Sequence, residues 1–203
     1  MEVYFVRHGA TQWNREHRHQ GRLSGIGLDA QGREQVTDQA RALPRRPYVA
    51  VVSSPLQRAV ETAEILRMAS GLDAPLVRDS HFDEWAIPPW DRLTFGEIAI
   101  RFPDAYETYI RNPDVFSMPS AERLADVRDR ALEGLHLLEV THGASACVLI
   151  VTHAAVIAAA VIGVLGAPLA LYRKLPVSNA SLTVIRTGCE PTLELFNWYP
   201  NRL

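Results

Sequence analysis

Short apolar segments recur along this chain, and helix-forming stretches separate the first three of them. Alternation of this kind predicts a mostly parallel sheet that is covered by helices. Gly188 and Pro191 lie between the last two segments, which are close enough for a hairpin and add one antiparallel edge. We therefore expect an α/β fold with a three-layer α/β/α sandwich. The predicted strands are Glu2 to Val6, Tyr48 to Ser53, Cys147 to Thr152, Ser181 to Arg186 and Thr192 to Trp198.

Capping residues indicate where the helices between these strands begin and end. Asp29 can cap the first helix, because its side chain can accept a hydrogen bond from a free backbone N–H. Ser54-Pro55 opens the second, and Gly71 lies just past its end. The predicted helices cover Ala30 to Leu43, Ser54 to Ala69, Ala121 to Val140 and Ala154 to Leu165.

The stretch from Ala144 to Leu165 holds few polar residues and is long enough to resemble a membrane span. Its first half is β-branched, Thr152-His153 interrupts it, and the remainder is rich in alanine. A strand followed by a helix fits this pattern better, so we expect no membrane span.

Composition predicts a single domain over residues 1–203. The 203 residues are 47% hydrophobic and 22% charged, which is enough for a full core. The net charge of -2 provides no basic field for nucleic acid or an anionic membrane. Cys147 and Cys189 imply no disulfide framework, and the first residues lead into a strand pattern without a secretion signal. We expect a cytoplasmic protein, and an edge strand or helix could support a homodimer.

Residues 81–120 differ from the rest of the chain. A short helix is predicted near Thr94 to Arg101, and several aromatic residues lie around Trp85. We interpret 81–120 as a small helical lid insertion over the sheet edge, because such segments commonly decide which substrate enters. Its prolines are Pro88, Pro89, Pro103, Pro113 and Pro119.

Three predicted strands end in polar residues that can act on an anion. Arg7-His8 follow the first strand, Ser53 to Arg58 the second, and Thr152-His153 the third. Parallel strands bring these ends to one edge of the sheet. Arg58 would lie in the first turn of its helix, where free N–H groups already favour an anion. Gly9 would let the backbone turn sharply and leave space for a ligand. Together these residues predict a phosphate pocket.

The same blocks resemble the histidine phosphatase superfamily, also called the phosphoglycerate mutase-like family. Each block is weak alone, but together they extend over nearly the whole chain at the family's spacing. The matching residues are Arg7-His8-Gly9, Thr11, Trp13-Asn14, Gln20-Gly21, Ser53 to Ala59, Glu61-Thr62-Ala63, Glu84, Trp90, Leu93-Thr94, Thr152-His153 and Asn179-Ala180-Ser181.

The resemblance implies a phosphomonoester hydrolase that acts on a small phosphorylated metabolite without a metal or cofactor. His8 would attack phosphorus and form a phosphohistidine. Arg7, Arg58 and His153 would bind the phosphoryl oxygens. Glu84 would protonate the departing alkoxide and then take a proton from water. The implied substrate contacts are Asn14, Gln20, Gly21, Trp85 and Trp90.

Other interpretations stay open at this point. Few arginines lie between Glu84 and His153, which favours hydrolysis over phosphoglycerate mutase-type transfer. A non-catalytic module that binds a phosphorylated ligand is a further alternative. Asp83, beside Glu84, is a second candidate for the acid. Trp85 and Trp90 fit lid packing as well as substrate contact.

The chain departs from the family pattern where the leaving group would lie. Pro88-Pro89-Trp90-Asp91-Arg92 stands where members usually carry Gly-x-Trp-Glu-Gly, and Ala154 replaces a glycine. Arg123 stands where a serine commonly follows the glutamate that Glu122 represents here. Substrate identity therefore transfers poorly from the family.

Overall fold

The computed structural model describes residues 1–200 and contains one six-stranded sheet. The strands are β1 (Glu2–Arg7), β2 (Tyr48–Ser53), β3 (Leu76–Arg78), β4 (Cys147–Thr152), β5 (Leu182–Arg186) and β6 (Thr192–Trp198). Across the sheet their order is β3-β2-β4-β1-β5-β6. The first four run parallel to one another, whereas β5 is antiparallel to both of its neighbours. The predicted mostly parallel sheet with an antiparallel edge is confirmed.

Helices connect the parallel strands. The α-helices of the described residues are α1 (Gln12–Arg15), α2 (Ala30–Ala42), α3 (Gln57–Ser70), α4 (Phe95–Arg101), α5 (Pro103–Arg111), α6 (Leu124–His142) and α7 (Ala154–Val164). Shorter 3₁₀ helices cover Ser80–Phe82, Pro88–Trp90 and Leu169–Lys174.

Local capping explains most of these bounds. The Asp29 side chain accepts a hydrogen bond from the Gly32 N–H at 2.8 Å, as the predicted cap requires. Gly71 adopts φ 63° at the end of α3, the left-handed conformation that glycine favours. The predicted start of α3 at Ser54-Pro55 is wrong, because these two residues connect β2 to Leu56, which is the N-cap. α6 likewise begins three positions later than predicted.

The strand β3 is absent from the sequence predictions. It is only three residues long, and Val77 and Arg78 are exposed at the edge of the sheet. Such a segment carries no apolar run that distinguishes it from a loop.

Alternate residues of β1 face opposite sides of the sheet. Val3 and Phe5 belong to the core that includes residues of α6 and α7, whereas Tyr4 and Val6 belong to the core with α2 and α3. The central strand β4 is buried along its whole length. Helices on both faces give the three-layer sandwich.

The long apolar stretch is the strand β4 followed by α7. Every residue from Ala155 to Ile162 is buried. Gly163 allows α7 to approach α6 closely, because a Cβ there would lie 2.9 Å from Leu132 Cδ1. Among residues 1–200, no helix has the length and apolar character needed to cross a membrane.

Residues 81–120 pack on the α6 and α7 side of the sheet. Their aromatic side chains form a cluster in which Trp90 lies 5.0 Å from Tyr109 and 5.2 Å from Phe116, measured between ring centroids. Thr94, just before α4, forms an isolated bridge with Arg18, so this segment meets the loop after α1. That it acts as a lid stays a prediction.

Candidate active site

A cavity of about 150 Å³ lies at the carboxyl ends of β1, β2 and β4. The strand register aligns Arg7 with Thr152 and Ser53 with Val151, so the three polar strand ends meet here, as parallel pairing requires. The predicted site residues that line the cavity are Arg7, His8, Asn14, Gln20, Gly21, Arg58, Glu84 and Trp85.

His8 follows β1 and is only 2% exposed. Its Nδ1 lies 2.7 Å from the Gly9 carbonyl oxygen. A carbonyl can only accept, so Nδ1 carries the proton and Nε2 of the neutral ring carries the lone pair. Burial, together with the nearby positive charges of Arg58 and Arg7, lowers the pKa of His8 well below its usual value. The ring is therefore neutral and nucleophilic near pH 7.

Gly9 serves a different purpose from the predicted one. A Cβ at this position would lie 2.5 Å from the Gly32 carbonyl oxygen and 2.8 Å from Val36 Cγ2. The space beside Gly9 is thus filled by the first turns of α2 rather than left for a ligand. This close approach packs α2 against the backbone of Gly9, the residue that follows His8.

Arg58 supplies buried positive charge to the cavity. It is 1% exposed and lies in the first turn of α3. Its Nη2 donates to the Gly21 carbonyl oxygen at 2.7 Å, whereas Nε and Nη1 are buried without a partner among the described residues. Burial lowers the pKa of Arg58 to about 10, which still leaves it charged at pH 7. Unpaired buried donors of this kind are rare, and they are suited to bind an anion.

Arg7 provides a second cation at the end of β1. Its Nη1 donates to the Val177 carbonyl oxygen at 2.6 Å, and its Nε is buried without a partner within residues 1–200. In addition to burial, both guanidinium groups are close enough to His8 to lower its pKa, and they raise the positive potential at the phosphate end of the cavity.

His153 lies immediately behind His8, with ring centroids 5.2 Å apart. It is fully buried and occupies the N-cap of α7, as its position after β4 predicts. Its Nε2 lies 2.9 Å from Ser54 Oγ, and its Nδ1 lies 3.9 Å from Glu84 Oε2. Burial and the charge of Arg58 lower the pKa of His153 well below its usual value.

Glu84 lines the cavity, whereas its neighbour Asp83 does not. Asp83 instead accepts a hydrogen bond from Ser54 Oγ at 2.7 Å. The Glu84 carboxylate accepts from the Trp85 N–H at 2.9 Å, and its Oε2 lies 3.9 Å from His153 Nδ1. This geometry favours Glu84 as the acid.

Two arginines and one glutamate hold the Glu84 backbone, and sequence reasoning missed this clamp. Arg22 Nε and Arg130 Nη2 donate to the Glu84 carbonyl oxygen at 2.9 and 3.3 Å. Both guanidinium groups also bind the Glu122 carboxylate, and Glu122 accepts a hydrogen bond from Trp85 Nε1 through its own carbonyl oxygen. Of these residues, the sequence points only to Glu122, because it matches a glutamate of the family pattern.

Asn14 lies in α1, and Gln20 and Gly21 lie in the loop between α1 and α2. Asn14 Oδ1 accepts from the Thr11 N–H at 3.1 Å, which leaves its Nδ2 as a donor beside the cavity. Gln20 Oε1 accepts from Thr11 Oγ1 at 3.2 Å. Gly21 contributes the carbonyl group that orients Arg58.

Trp85 and Trp90, both predicted as substrate contacts, have different surroundings. Trp85 lines the cavity, whereas Trp90 is completely buried in the aromatic cluster and is not part of the cavity wall. Trp90 therefore supports the wall from behind. The wall also contains Phe95, Tyr109 and Tyr172, which sequence reasoning did not single out.

Metal-ligating residues do not gather in the described part of the chain, where no group of three His, Cys, Asp or Glu side chains could hold an ion. His19, which lines the cavity, pairs instead with Asp91 through Nδ1 at 3.2 Å.

Two curated relatives share much of this sequence. Glucosyl-3-phosphoglycerate phosphatase of Mycolicibacterium vanbaalenii is 32% identical over 172 residues, covering 82% of this chain and 75% of that protein. A bifunctional protein of Mycobacterium tuberculosis is 36% identical over 152 residues, covering 74% of this chain. The chain spans only about 40% of the length of that protein and of its two matching mycobacterial counterparts.

Solved structures have the same fold over almost the full chain. YhfR of Bacillus stearothermophilus superposes with a TM-score of 0.89 at 30% identity, covering 97% of this chain and 96% of that one. A mycobacterial glucosyl-3-phosphoglycerate phosphatase, solved with VO3, gives a TM-score of 0.85 at 28% identity, covering 97% of this chain and 98% of that one. The family model for the histidine phosphatase superfamily (branch 1) matches residues 3–198. On these grounds, and with its two histidines and two arginines gathered at the strand ends, the chain belongs to the histidine phosphatase superfamily.

Proposed function

We propose that this protein is a cytoplasmic phosphomonoesterase that hydrolyses a small phosphorylated metabolite through a phosphohistidine, without a metal ion. One observation carries the proposal: a neutral His8 with a free Nε2 lies beside the buried Arg58 and the partly buried Arg7, and both have buried N–H groups without a partner among residues 1–200. A phosphoryl dianion would satisfy those donors and bring phosphorus to the nucleophile.

The chemistry proceeds in two displacements at phosphorus. Nε2 of His8 forms a bond to phosphorus while the ester P–O bond breaks, and Glu84 gives its proton to the departing alkoxide. Water then attacks the phosphohistidine while the ionised Glu84 takes a proton from it. The P–N bond breaks, and inorganic phosphate and neutral His8 are released. Arg7 and Arg58 offset the charge on the equatorial oxygens in both steps.

The opposite end of the cavity supports hydrolysis rather than bisphosphate-dependent transfer. Arg18 lines that end, but its Nε lies 3.1 Å from Glu16 Oε2 and its Nη1 lies 3.9 Å from Glu97 Oε2. His19 is engaged with Asp91. Among the lining residues described, a second phosphate would find no cation that is free of an acidic partner. One relative is named a probable phosphoglycerate mutase, so transfer is the second outcome to test.

The aromatic wall of the cavity indicates which kind of alcohol is released. Phe95, Tyr109 and Tyr172 present aromatic surface to the cavity. Burial and the nearby Glu84 carboxylate raise the pKa values of Tyr109 and Tyr172, so the leaving group that Glu84 protonates would meet these rings.

Arg18 and His19, which line the cavity here, already face carboxylates. Arg173 lies against the Tyr109 ring and is not among the lining residues described. An anionic group close to the ester oxygen would therefore gain little to offset its desolvation, which is costly. We therefore expect a small, uncharged leaving group.

Phosphate release from p-nitrophenyl phosphate and from a panel of metabolite esters tests the proposal, with and without EDTA. We expect release that is insensitive to chelation and is lost in His8→Asn. The exposed residue His142 provides a matched control, because His142→Gln should hydrolyse the esters like the wild type. Transfer of phosphate to an added alcohol without net release would favour a mutase. Binding of phosphate with no turnover of any ester would favour a binding module.

A further inference from the structure

Three side chains form a hydrogen-bonded chain directly behind the phosphate end of the cavity. His153 Nε2 lies 2.9 Å from Ser54 Oγ, and Ser54 Oγ lies 2.7 Å from Asp83 Oδ1. Ser54 and His153 are completely buried. The loop that carries Asp83 is held in place by Thr152, whose hydroxyl donates to the Phe82 carbonyl oxygen at 2.6 Å.

The direction of each hydrogen bond follows from the carboxylate. Ionised Asp83 can only accept, so the Ser54 hydroxyl must donate to it. Ser54 Oγ then offers only lone pairs to the imidazole, and His153 must donate from Nε2. A neutral His153 therefore carries its proton on Nε2 and leaves Nδ1 bare.

The unprotonated Nδ1 of His153 disfavours binding of phosphate. It is buried without a partner among the described residues and lies on the side of Glu84, at 3.9 Å from Oε2. A lone pair repels phosphoryl oxygens. His153 can bind them only when Nδ1 also carries a proton, which makes the ring an imidazolium.

Charges on several elements act on that imidazolium. The cations Arg7, Arg58 and Arg130 disfavour it, as does the neighbouring ring of His8 when protonated. Glu84 faces Nδ1 directly, and Asp83 acts on Nε2 through Ser54. Binding of an anion adds negative charge and favours the second proton.

We propose that Asp83, acting through Ser54, is a positioning residue that holds the tautomer of His153 with Nε2 protonated and stabilises its imidazolium when phosphate is bound. Asp83 thus has a role different from the acid role first considered for it. The effect on turnover rests on the proposed function, whereas binding of inorganic phosphate does not.

Asp83→Asn tests the proposal with inorganic phosphate as the probe. Nitrogen NMR of the histidine rings, assigned with His153→Gln, should show His153 protonated on Nε2 alone without phosphate and on both nitrogens with it. In Asp83→Asn we expect the phosphate-bound ring to lose its Nδ1 proton about one pH unit lower, and phosphate to bind about tenfold more weakly at pH 8.

Asp79→Asn is the matched control, because Asp79 lies on the same segment but pairs with His81 at 2.7 Å. It should bind phosphate like the wild type at every pH. Ser54→Ala interrupts the chain while keeping Asp83, and it should reproduce the shift if Asp83→Asn does not fold. Equal pH dependence in the wild type and in the folded chain-breaking variant would overturn the proposal. So would a proton on Nδ1 of His153 in the phosphate-free wild type.

Discussion

The two ends of the cavity are built in different ways. At the phosphate end, His8, Arg58 and His153 are at most 2% exposed and come from the sheet edge or from the first turn of a helix. At the other end, Phe95 and Tyr109 come from residues 81–120, and Tyr172 from a 3₁₀ helix.

Within residues 1–200, the phosphate end carries donors without partners, whereas Arg18 and His19, which line the other end, have acidic partners. We infer that the strand ends and the first turn of α3 determine how the phosphoryl group is bound and attacked. Residues 81–120, which also carry Glu84, and the 3₁₀ helix Leu169–Lys174 determine which ester enters.

The largest effect that separates the two ends should come from Arg58→Met. Loss of a buried cation at the transition state should lower kcat/KM by about 10³-fold. Thermal stability should hold or rise, because two unpaired buried N–H groups are removed at the same time. Steady-state kinetics and thermal unfolding check both parts. A variant that keeps full activity, or that loses activity only because it unfolds, would contradict this account of the phosphate end.

Glu84→Gln should have the next largest effect, and the effect should depend on the leaving group. Hydrolysis of glycerol 3-phosphate should fall by about 10²-fold, because its alkoxide needs a proton. Hydrolysis of p-nitrophenyl phosphate should fall much less, since p-nitrophenolate leaves without one. Glu64→Gln, at an exposed position on α3, is the control. An equal loss of hydrolysis rate on both esters would contradict the role of Glu84 as the acid.

A smaller effect is expected from charge on the leaving group. Glycerol 3-phosphate and 3-phosphoglycerate differ by a carboxylate, and we expect kcat/KM to favour the former by about tenfold. The double variant Glu16→Gln, Glu97→Gln removes the acidic partners of Arg18 and should shift this ratio toward 3-phosphoglycerate by up to about fivefold. A wild-type preference for the carboxylate would show that the aromatic end is not selective in the way we propose.

The smallest effect concerns how the free energy of unfolding depends on pH. His8 and His153 have lowered pKa values in the folded state, so below about pH 6.5 the unfolded chain binds more protons than the folded one. The free energy of unfolding should therefore decrease as the pH is lowered below about 6.5, by up to about 1.4 kcal/mol per pH unit for each histidine. Urea unfolding in phosphate-free buffers checks this. His8→Asn should show a shallower dependence than the wild type and than the exposed control His142→Gln.

The phosphate end could be predicted from the sequence to a large extent. A run of valine and aromatic residues locates β1, and a largely β-branched run locates β4. The rule that parallel strands end together then brings Arg7-His8 near Thr152-His153. Those inferences need only local patterns and one topological principle. β3 escapes prediction because three residues at an exposed edge leave no apolar pattern.

The leaving-group end could not be predicted to the same extent. Arg22 reaches Glu122 across 100 positions of sequence, and no local pattern indicates that contact. Trp90 and Trp85 look alike in sequence, but only packing against Tyr109 and Phe116 decides that Trp90 lies behind the wall. The same limit applies to Asp83, whose partner Ser54 is visible only in the folded chain.

Trapping the phosphorylated enzyme tests the central claim most directly. The protein is mixed with a ³²P-labelled ester, quenched in alkali within milliseconds, digested and sequenced by mass spectrometry. We predict an alkali-stable, acid-labile phosphoryl group on His8 that forms and decays at rates consistent with turnover and is absent from His8→Asn. Turnover without a phosphorylated residue, or with the phosphoryl group on another side chain, would contradict the account.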